Sequence, residues 1–303
     1  MTITIAAIGC SGPVAAHYIK GFAELGIQVK LLSRSEKQGL PEGVQLVKGS
    51  IMNASDVANV LQGVDAAFLV TPMATKNQTE SEIKAAKIVL EGAKEANLKH
   101  LIYTSVLGSD SLRGVGILDA KYEIEKLIKE SGIPCSILRC GTYMEDVFDP
   151  RISLLNKGIY LFPIQKEARI TYTCQADVPR FVVQELLKPG KTLNKSINFV
   201  REDNEFAVAQ VEAMLTEVTG VTVRAVPKFP AFYLFKAALP YFNWTEHRFS
   251  SVIPLMAYFD QKSYVVDDEE GSDTFSVSKE FPGFELTPLK SHLESLFPKS
   301  EES

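Results

Sequence analysis

The chain has 303 residues, 46% hydrophobic and 23% charged, and 32 Lys plus Arg against 37 Asp plus Glu leave a net charge of −5. That length suits about two domain-sized units, or one large α/β domain with a lobe attached, and buries a core without disulfide or metal staples. The composition excludes collagen, coiled coil and low-complexity architectures, and a mildly acidic balance with no basic block argues against a nucleic-acid partner.

Short apolar runs alternate with helix-period segments through the first half: Thr2–Ile8, Ile27–Ser33, Val44–Lys48, Ala66–Thr71, His100–Ser105 and Cys135–Cys140. Most are apolar on both faces, as strands covered by helices on both sides must be. A helix carrying Val14, Tyr18, Phe22 and Leu25 follows the first run. Thr79 to Ala96 repeats Ile83, Ala86, Leu90 and Ala93 at helical spacing, with Asn97 placed to close it, and Ala120 to Glu130 puts Ile124, Leu127 and Ile128 on one stripe. This alternation specifies a parallel sheet with right-handed crossovers, hence a doubly wound α/β (Rossmann) fold.

After Pro150 the rhythm degrades. Ser196–Val200 reads as a further strand and Glu205–Thr219 as a helix ended by Gly220, while Phe229–Phe259 is aromatic and broken by prolines. The predicted organisation is a sheet domain over residues 1–150 and a smaller substrate lobe over 151–303, with some of its segments returning to the main sheet. The lobe is expected over the sheet's carboxyl edge, where open α/β sheets bind ligands.

Cys10, Cys135, Cys140 and Cys174 form no Cys-x-x-Cys pair and no Cys/His cluster, and His247 and His292 have no partner at ligand spacing. The cysteines therefore read as reduced thiols, and no metal site is expected. The opening apolar run lacks a basic n-region and is too short for a secretory signal, and no stretch reaches ~18 uninterrupted apolar residues. A cytoplasmic location and no membrane contact follow as expectations.

The most informative segment is Ile8-Gly9-Cys10-Ser11-Gly12-Pro13-Val14-Ala15, between the first strand and the first helix. Gly9 permits a tight exit turn, Gly12 lets the main chain approach a pyrophosphate, and a small Ala15 lets helix and strand pack closely. The helix start then offers N–H groups and a positive dipole end to an anion, and Pro13 gives up an N–H that no helix bond needs. The rival reading is a purely structural turn. The second strand ends at Ser33-Arg34, with Lys37 behind, where an NAD site would carry a carboxylate. Arg34 aided by Lys37 fits a 2′-phosphate, hence NADP(H); the alternative is a solvated loop cation.

With these segments in view, the chain resembles the NmrA-like family, atypical short-chain dehydrogenase/reductase relatives that include isoflavone-reductase-like enzymes. The resemblance rests on Gly9 to Ala15, Leu31-Leu-Ser-Arg34, Phe68-Leu-Val-Thr-Pro72, Lys99 to Ser105, Lys121-Tyr-Glu-Ile-Glu125, Ser131 to Arg139 and Tyr143-Met-Glu-Asp146. Beyond residue 148 it thins to Ala176-Asp-Val-Pro179 and Phe284 to Lys290. It implies that Gly9, Ser11, Gly12, Val14 and Arg34 hold NADP(H), which with Pro13 and Lys37 from the reading above make the cofactor set, with Thr71 and Pro72 along the dinucleotide and Cys140 to Tyr143 near the nicotinamide. It further implies a substrate-orienting Ser105, and a Lys121 that binds nicotinamide ribose and assists proton transfer.

One departure from the wider short-chain pattern matters. Those enzymes carry Tyr one helical turn before the Lys, so that the ammonium lowers the phenol pKa. Here that position is Ile117, and Tyr122 points about 100° away from Lys121. Lys121, a water or Tyr143 is left to deliver a proton. Burial beside Ile124 and Ile128 is expected to pull the Lys121 amine toward the working range; the bland alternative is a surface ion pair with Glu125. Phe232, Tyr233, Phe235, Tyr241, Phe242 and Trp244 suit an apolar substrate pocket, though core packing or a homodimer contact accounts for them as well. Three functions remain open: an NADPH-dependent reductase of a small apolar carbonyl, quinone or enone; an NADP(H)-binding redox sensor that works without turnover through a protein partner; and, as the weakest, an isomerase or epimerase that uses bound cofactor transiently.

Overall fold

A computed structural model describes residues 2–71, 78–111, 114, 116–149, 154–160, 165–188, 194–226 and 274–298. In chain order the elements begin β1 (Thr4–Ile8), α1 (Pro13–Glu24), β2 (Gln28–Ser33), β3 (Val44–Lys48), α2 (Ala54–Leu61), β4 (Ala66–Leu69) and α3 (Gln78–Glu95). They continue with β5 (Leu101–Val106), α4 (Gly116–Glu130), β6 (Cys135–Cys140), β7 (Thr142–Tyr143), α5 (Met144–Phe148), β8 (Ile159–Tyr160), β9 (Arg169–Thr173) and α6 (Asp177–Phe181). The last are β10 (Lys195–Phe199), β11 (Glu205–Ala207), α7 (Val208–Thr219), β12 (Arg224–Ala225), β13 (Thr274–Ser276), α8 (Val277–Glu280) and α9 (Leu289–Leu296).

The chain divides into two compact units. The first comprises Met1–Arg139, Gln175–Asn198 and Asp268–Ser276, and the second Cys140–Cys174, Phe199–Asp267 and Val277–Ser303. The first unit is built on an eight-stranded sheet in the order β13-β10-β6-β5-β4-β1-β2-β3. The β1–β2, β1–β4, β2–β3, β4–β5 and β10–β13 pairs are parallel. Strand order reverses beside β1, which pairs with β2 on one side and β4 on the other, the kind of switch point at which open α/β sheets bind ligands.

Central strands are apolar throughout because both faces are covered. Ile5 to Ile8 and Ala67 to Leu69 are fully buried, and Ala6, Ile8, Leu69, Tyr103 and Ile137 share a core with Val57, Val60, Ala86, Val89, Ala93, Ile124 and Ile128 of the helices. Each fully buried Val, Leu or Ile side chain in this core contributes about 1.5–3 kcal/mol. Elsewhere in this unit Tyr18 and Phe22 of α1 meet Phe68 edge-on, at 5.3 and 5.1 Å between ring centres. A Cβ at Gly21 would stand 2.8 Å from the Pro179 side chain, so glycine lets α1 and α6 approach closely.

Several boundaries differ from the periodicity. Helix α4 starts at Gly116, ahead of Ala120. Glu205–Ala207, expected as the first turn of a helix, instead pairs antiparallel with β9. The Gln210 side chain accepts from the Ala207 N–H, which starts α7 at Val208. Leu25 is exposed while Tyr18 and Phe22 are buried. Asn97 at φ 49° and Gly220 at φ 70° end α3 and α7 in left-handed backbone, as placed from sequence.

The second unit carries a three-stranded sheet, β11-β9-β7, and the parallel pair β12–β8. Its core includes Phe148, Tyr160 and Tyr172, with the two tyrosine hydroxyls 3.0 Å apart. Among the described residues no helix is long and apolar enough to cross a membrane.

Candidate functional site

The β1–α1 turn is held by a backbone that only glycine fits. Gly9 has φ 76°, and a Cβ there would lie 1.7 Å from the Val70 carbonyl oxygen. Gly12, extended at φ −81° and ψ 166°, is the N-cap of α1 and has open space where a Cβ would stand. Pro13 takes a first-turn position, and Val14 lies in that same turn. The first-turn N–H groups of a helix have no intrahelical acceptor, and together with the positive dipole end they suit an anion. Ala15 is buried, as close packing requires.

Cations sit at the same edge. Lys37 donates from Nζ to the Ser11 carbonyl at 2.8 Å, tying the segment after β2 to the glycine turn. Arg34 is exposed, with no hydrogen bond or ion pair among the described residues. Ser33 is buried and donates to the Ser35 carbonyl at 2.9 Å, fixing the bend that presents Arg34. Cys10 is buried, and burial pushes its thiol well above the ordinary range.

Two buried ionic clusters lie between β5 and α4, with contributions from β4, α3 and β6. In the first, Lys121 pairs with Glu82 at 3.1 Å and donates to Thr71 Oγ1 at 2.6 Å. Thr71 donates to Glu82 at 3.0 Å, and the Tyr103 hydroxyl lies 3.2 Å from Thr71 Oγ1. Lys121 and Glu82 are 2% and 0% exposed, which rules out the surface pair with Glu125. The pKa expectation is also corrected. Burial alone pulls the ammonium down, but Glu82 and then Tyr103 outweigh it and hold Lys121 above the ordinary lysine value. Burial likewise pushes the Tyr103 phenol up to about 12 against the opposing pull of Lys121.

In the second cluster Glu125 takes a forked contact from Arg139, with Nη2 at 2.6 Å and Nε at 3.1 Å from Oε2. Arg139 also pairs with Asp110. Ser105 donates to Glu125 at 2.5 Å, and Ser109 donates to the same oxygen. Ser105 is 2% exposed, and its hydroxyl is bonded within this cluster. Sequence reasoning missed Glu82, Tyr103, Asp110, Glu125 and Arg139 as a system. The signal was present: Glu82 shares a stripe with Ala86, Val89 and Ala93, and Glu125 one with Ile117, Lys121 and Ile128. A charge on a buried stripe needs a partner.

The NmrA-like family model matches residues 1–243. The chain belongs to the NmrA-like family. An NAD(P)H azoreductase of Xenophilus azovorans is 24% identical over 225 residues, 73% of this chain and 76% of its own. The triphenylmethane reductase of a Citrobacter species superposes with a TM-score of 0.77 at 18% identity, covering 98% of this chain and 100% of that one. An NADPH-dependent quinone oxidoreductase of Escherichia coli, in complex with NADPH, superposes with a TM-score of 0.74 at 22% identity over 97% and 99%.

The remaining expected residues of this NmrA-like chain fall in the second unit or outside the described residues. Cys140 is buried, and burial pushes its thiol up to about 12, against the pull of a hydrogen bond to Tyr143. Tyr143 is half-buried on β7, immediately before α5. Pro72 and the aromatic residues Phe232, Tyr233, Phe235, Tyr241, Phe242 and Trp244 lie outside the described residues, as does His247.

Proposed function

We propose that this NmrA-like chain is an NADP(H)-dependent reductase of a small, largely apolar hydride acceptor, with quinones and enones favoured over isolated carbonyls. The carrying observation is the β1–α1 turn. Gly12 caps α1 with open space where a Cβ would stand, so a pyrophosphate can approach the main chain and the free N–H groups of the first turn. Gly9, Ser11, Gly12, Pro13 and Val14 would cradle it, and Arg34 with Lys37 would take the 2′-phosphate, with Thr71 further along the dinucleotide. The cofactors named for the azoreductase and the quinone oxidoreductase support this reading.

When bound, the dinucleotide supplies the hydride. The protein's part is to orient, exclude water and manage charge. Lys121, held as an ammonium by Glu82, supplies a fixed positive charge and not a proton. Ile117 offers no proton either, which leaves Tyr143 or water. An acceptor whose reduced anion is delocalised needs no strong acid beside it, and this chemistry favours a quinone or enone over a simple ketone. The acceptors named for the relatives, azo compounds, quinones and triphenylmethanes, support the same choice.

The absent phenol at Ile117 also favours one rival, a sensor that binds NADP(H) without turnover. One experiment separates the two. NADPH oxidation is followed with a panel of quinones, enones and azo dyes, alongside calorimetric Kd values for NADPH, NADP and NADH. The reductase reading expects turnover with at least one conjugated acceptor. Arg34→Ala should weaken NADPH about 10- to 100-fold and leave NADH unchanged, as lost charge-assisted bonds of about 1.5–3 kcal/mol dictate. Tight cofactor binding with no turnover on any acceptor, and unequal affinities for the two redox forms, would move the assignment to the sensor.

A further inference from the structure

In the second unit, Glu145 of α5, Cys174 at the end of β9 and His292 of α9 bring one ligand atom each within 4.8 Å of one another. They come from chain positions too far apart for any spacing motif. We propose that these three side chains form a binding site for a divalent late first-row metal ion, zinc by its donor chemistry. A thiolate, an imidazole and a carboxylate are the borderline-soft set that zinc prefers, and they leave a fourth position for water. One thiolate and one carboxylate also neutralise the ion's two charges, so the loaded site carries no net charge in a partly buried setting.

The geometry is close to what such an ion needs. Bonds of about 2.0–2.3 Å to a tetrahedral ion separate its ligand atoms by roughly 3.3–3.7 Å. The Cys174 thiol donates to Glu145 Oε1 at 3.2 Å, so that pair already stands at ligand spacing. The His292 ligand atom lies within 4.8 Å of the other two, so a contraction of at most about 1.5 Å brings it to that spacing. Cys174 is 5% exposed, and Glu145 and His292 are half-buried.

Each ligand sits on an anchored element, as a binding site requires. The preceding Thr173 accepts from the Gly141 N–H and donates to the Phe199 carbonyl. Glu145 lies between Met144 and Phe148, both fully buried. Asn204 accepts from the Leu289 N–H and donates to the Thr287 carbonyl, fixing the start of α9 one turn before His292. On binding, the Cys174 S–H bond is replaced by a sulfur–metal bond, and the proton leaves to solvent.

The test uses the full chain, stripped with a chelator and titrated with Co²⁺ and then Zn²⁺. The expected result is one cobalt per chain, intense visible bands of a tetrahedral ion and a near-ultraviolet thiolate charge-transfer band, all displaced by zinc. Cys174→Ser should abolish the charge-transfer band, while Cys135→Ser should leave it in place. His292→Gln, a half-buried position expected to fold, should weaken binding by about a hundredfold while retaining native circular dichroism. Absence of a charge-transfer band overturns the proposal, as does a band or an affinity that survives both Cys174→Ser and His292→Gln.

Discussion

Lys121 illustrates how a partner decides what a buried charge can do. An unpaired ammonium in this core would neutralise, but Glu82 is 0% exposed and 3.1 Å away, and the pair keeps its charge. Thr71 and Tyr103 complete the cluster, so the lysine's donors have oriented acceptors. Removing only the carboxylate's charge strands the ammonium. Glu82→Gln is therefore expected to cost about 3–5 kcal/mol in urea unfolding, whereas the double change Glu82→Gln with Lys121→Met should recover most of that loss. If the single change costs less than about 1 kcal/mol, the ion pair does not hold this corner together.

At the scale of elements, caps and breakers set where periodic segments stop. Asn53 ends the loop before α2 by accepting from the Ser55 and Asp56 N–H groups. Asn53→Ala should cost about 1 kcal/mol, read as a lower urea midpoint with an unchanged slope, while Asn53→Ser should cost far less. An equal loss for both substitutions would mean that the side-chain oxygen is not what matters. The same helix shows what periodicity misses. Only eight residues long, α2 gives too few repeats to stand out from its surroundings. By contrast, β3 and β6 were legible to the residue, since short apolar runs flanked by turn residues have few other ways to fold. The glycine turn was legible because part of its demand is local: the left-handed φ of 76° at Gly9 suits glycine whatever packs against it. The stripes of Glu82 and Glu125 signalled buried charges, but which groups they pair with was not legible, nor was the Glu145–Cys174–His292 group, because partners are fixed by tertiary packing. The two-residue strands β7, β8 and β12 carry no pattern at all.

For the molecule as a whole, acid should act first through a histidine that folding keeps neutral. His100 is 6% exposed just before β5, with Nε2 2.8 Å from the Ser136 hydroxyl. Burial lowers its pKa to about 4 from 6.5, only partly opposed by a backbone hydrogen bond at Leu186. The sign follows from which state holds more protons. Between pH 6.5 and about 4 the unfolded chain binds a proton at His100 that the folded chain refuses. Stability is therefore fully present above the unfolded value and is lost as pH falls through that window. A shift of this size corresponds to roughly 3 kcal/mol at the acid end. Carboxylates titrate over part of the same range, so the informative quantity is the difference between the wild-type chain and His100→Asn, which preserves a side-chain partner for Ser136. Urea unfolding from about pH 7 to about pH 4 should change that difference by roughly 3 kcal/mol in favour of the variant, with most of the change below about pH 6. A difference that stays constant across the range would mean that His100 takes up its proton in the folded chain as readily as in the unfolded one, and that acid unfolding begins elsewhere.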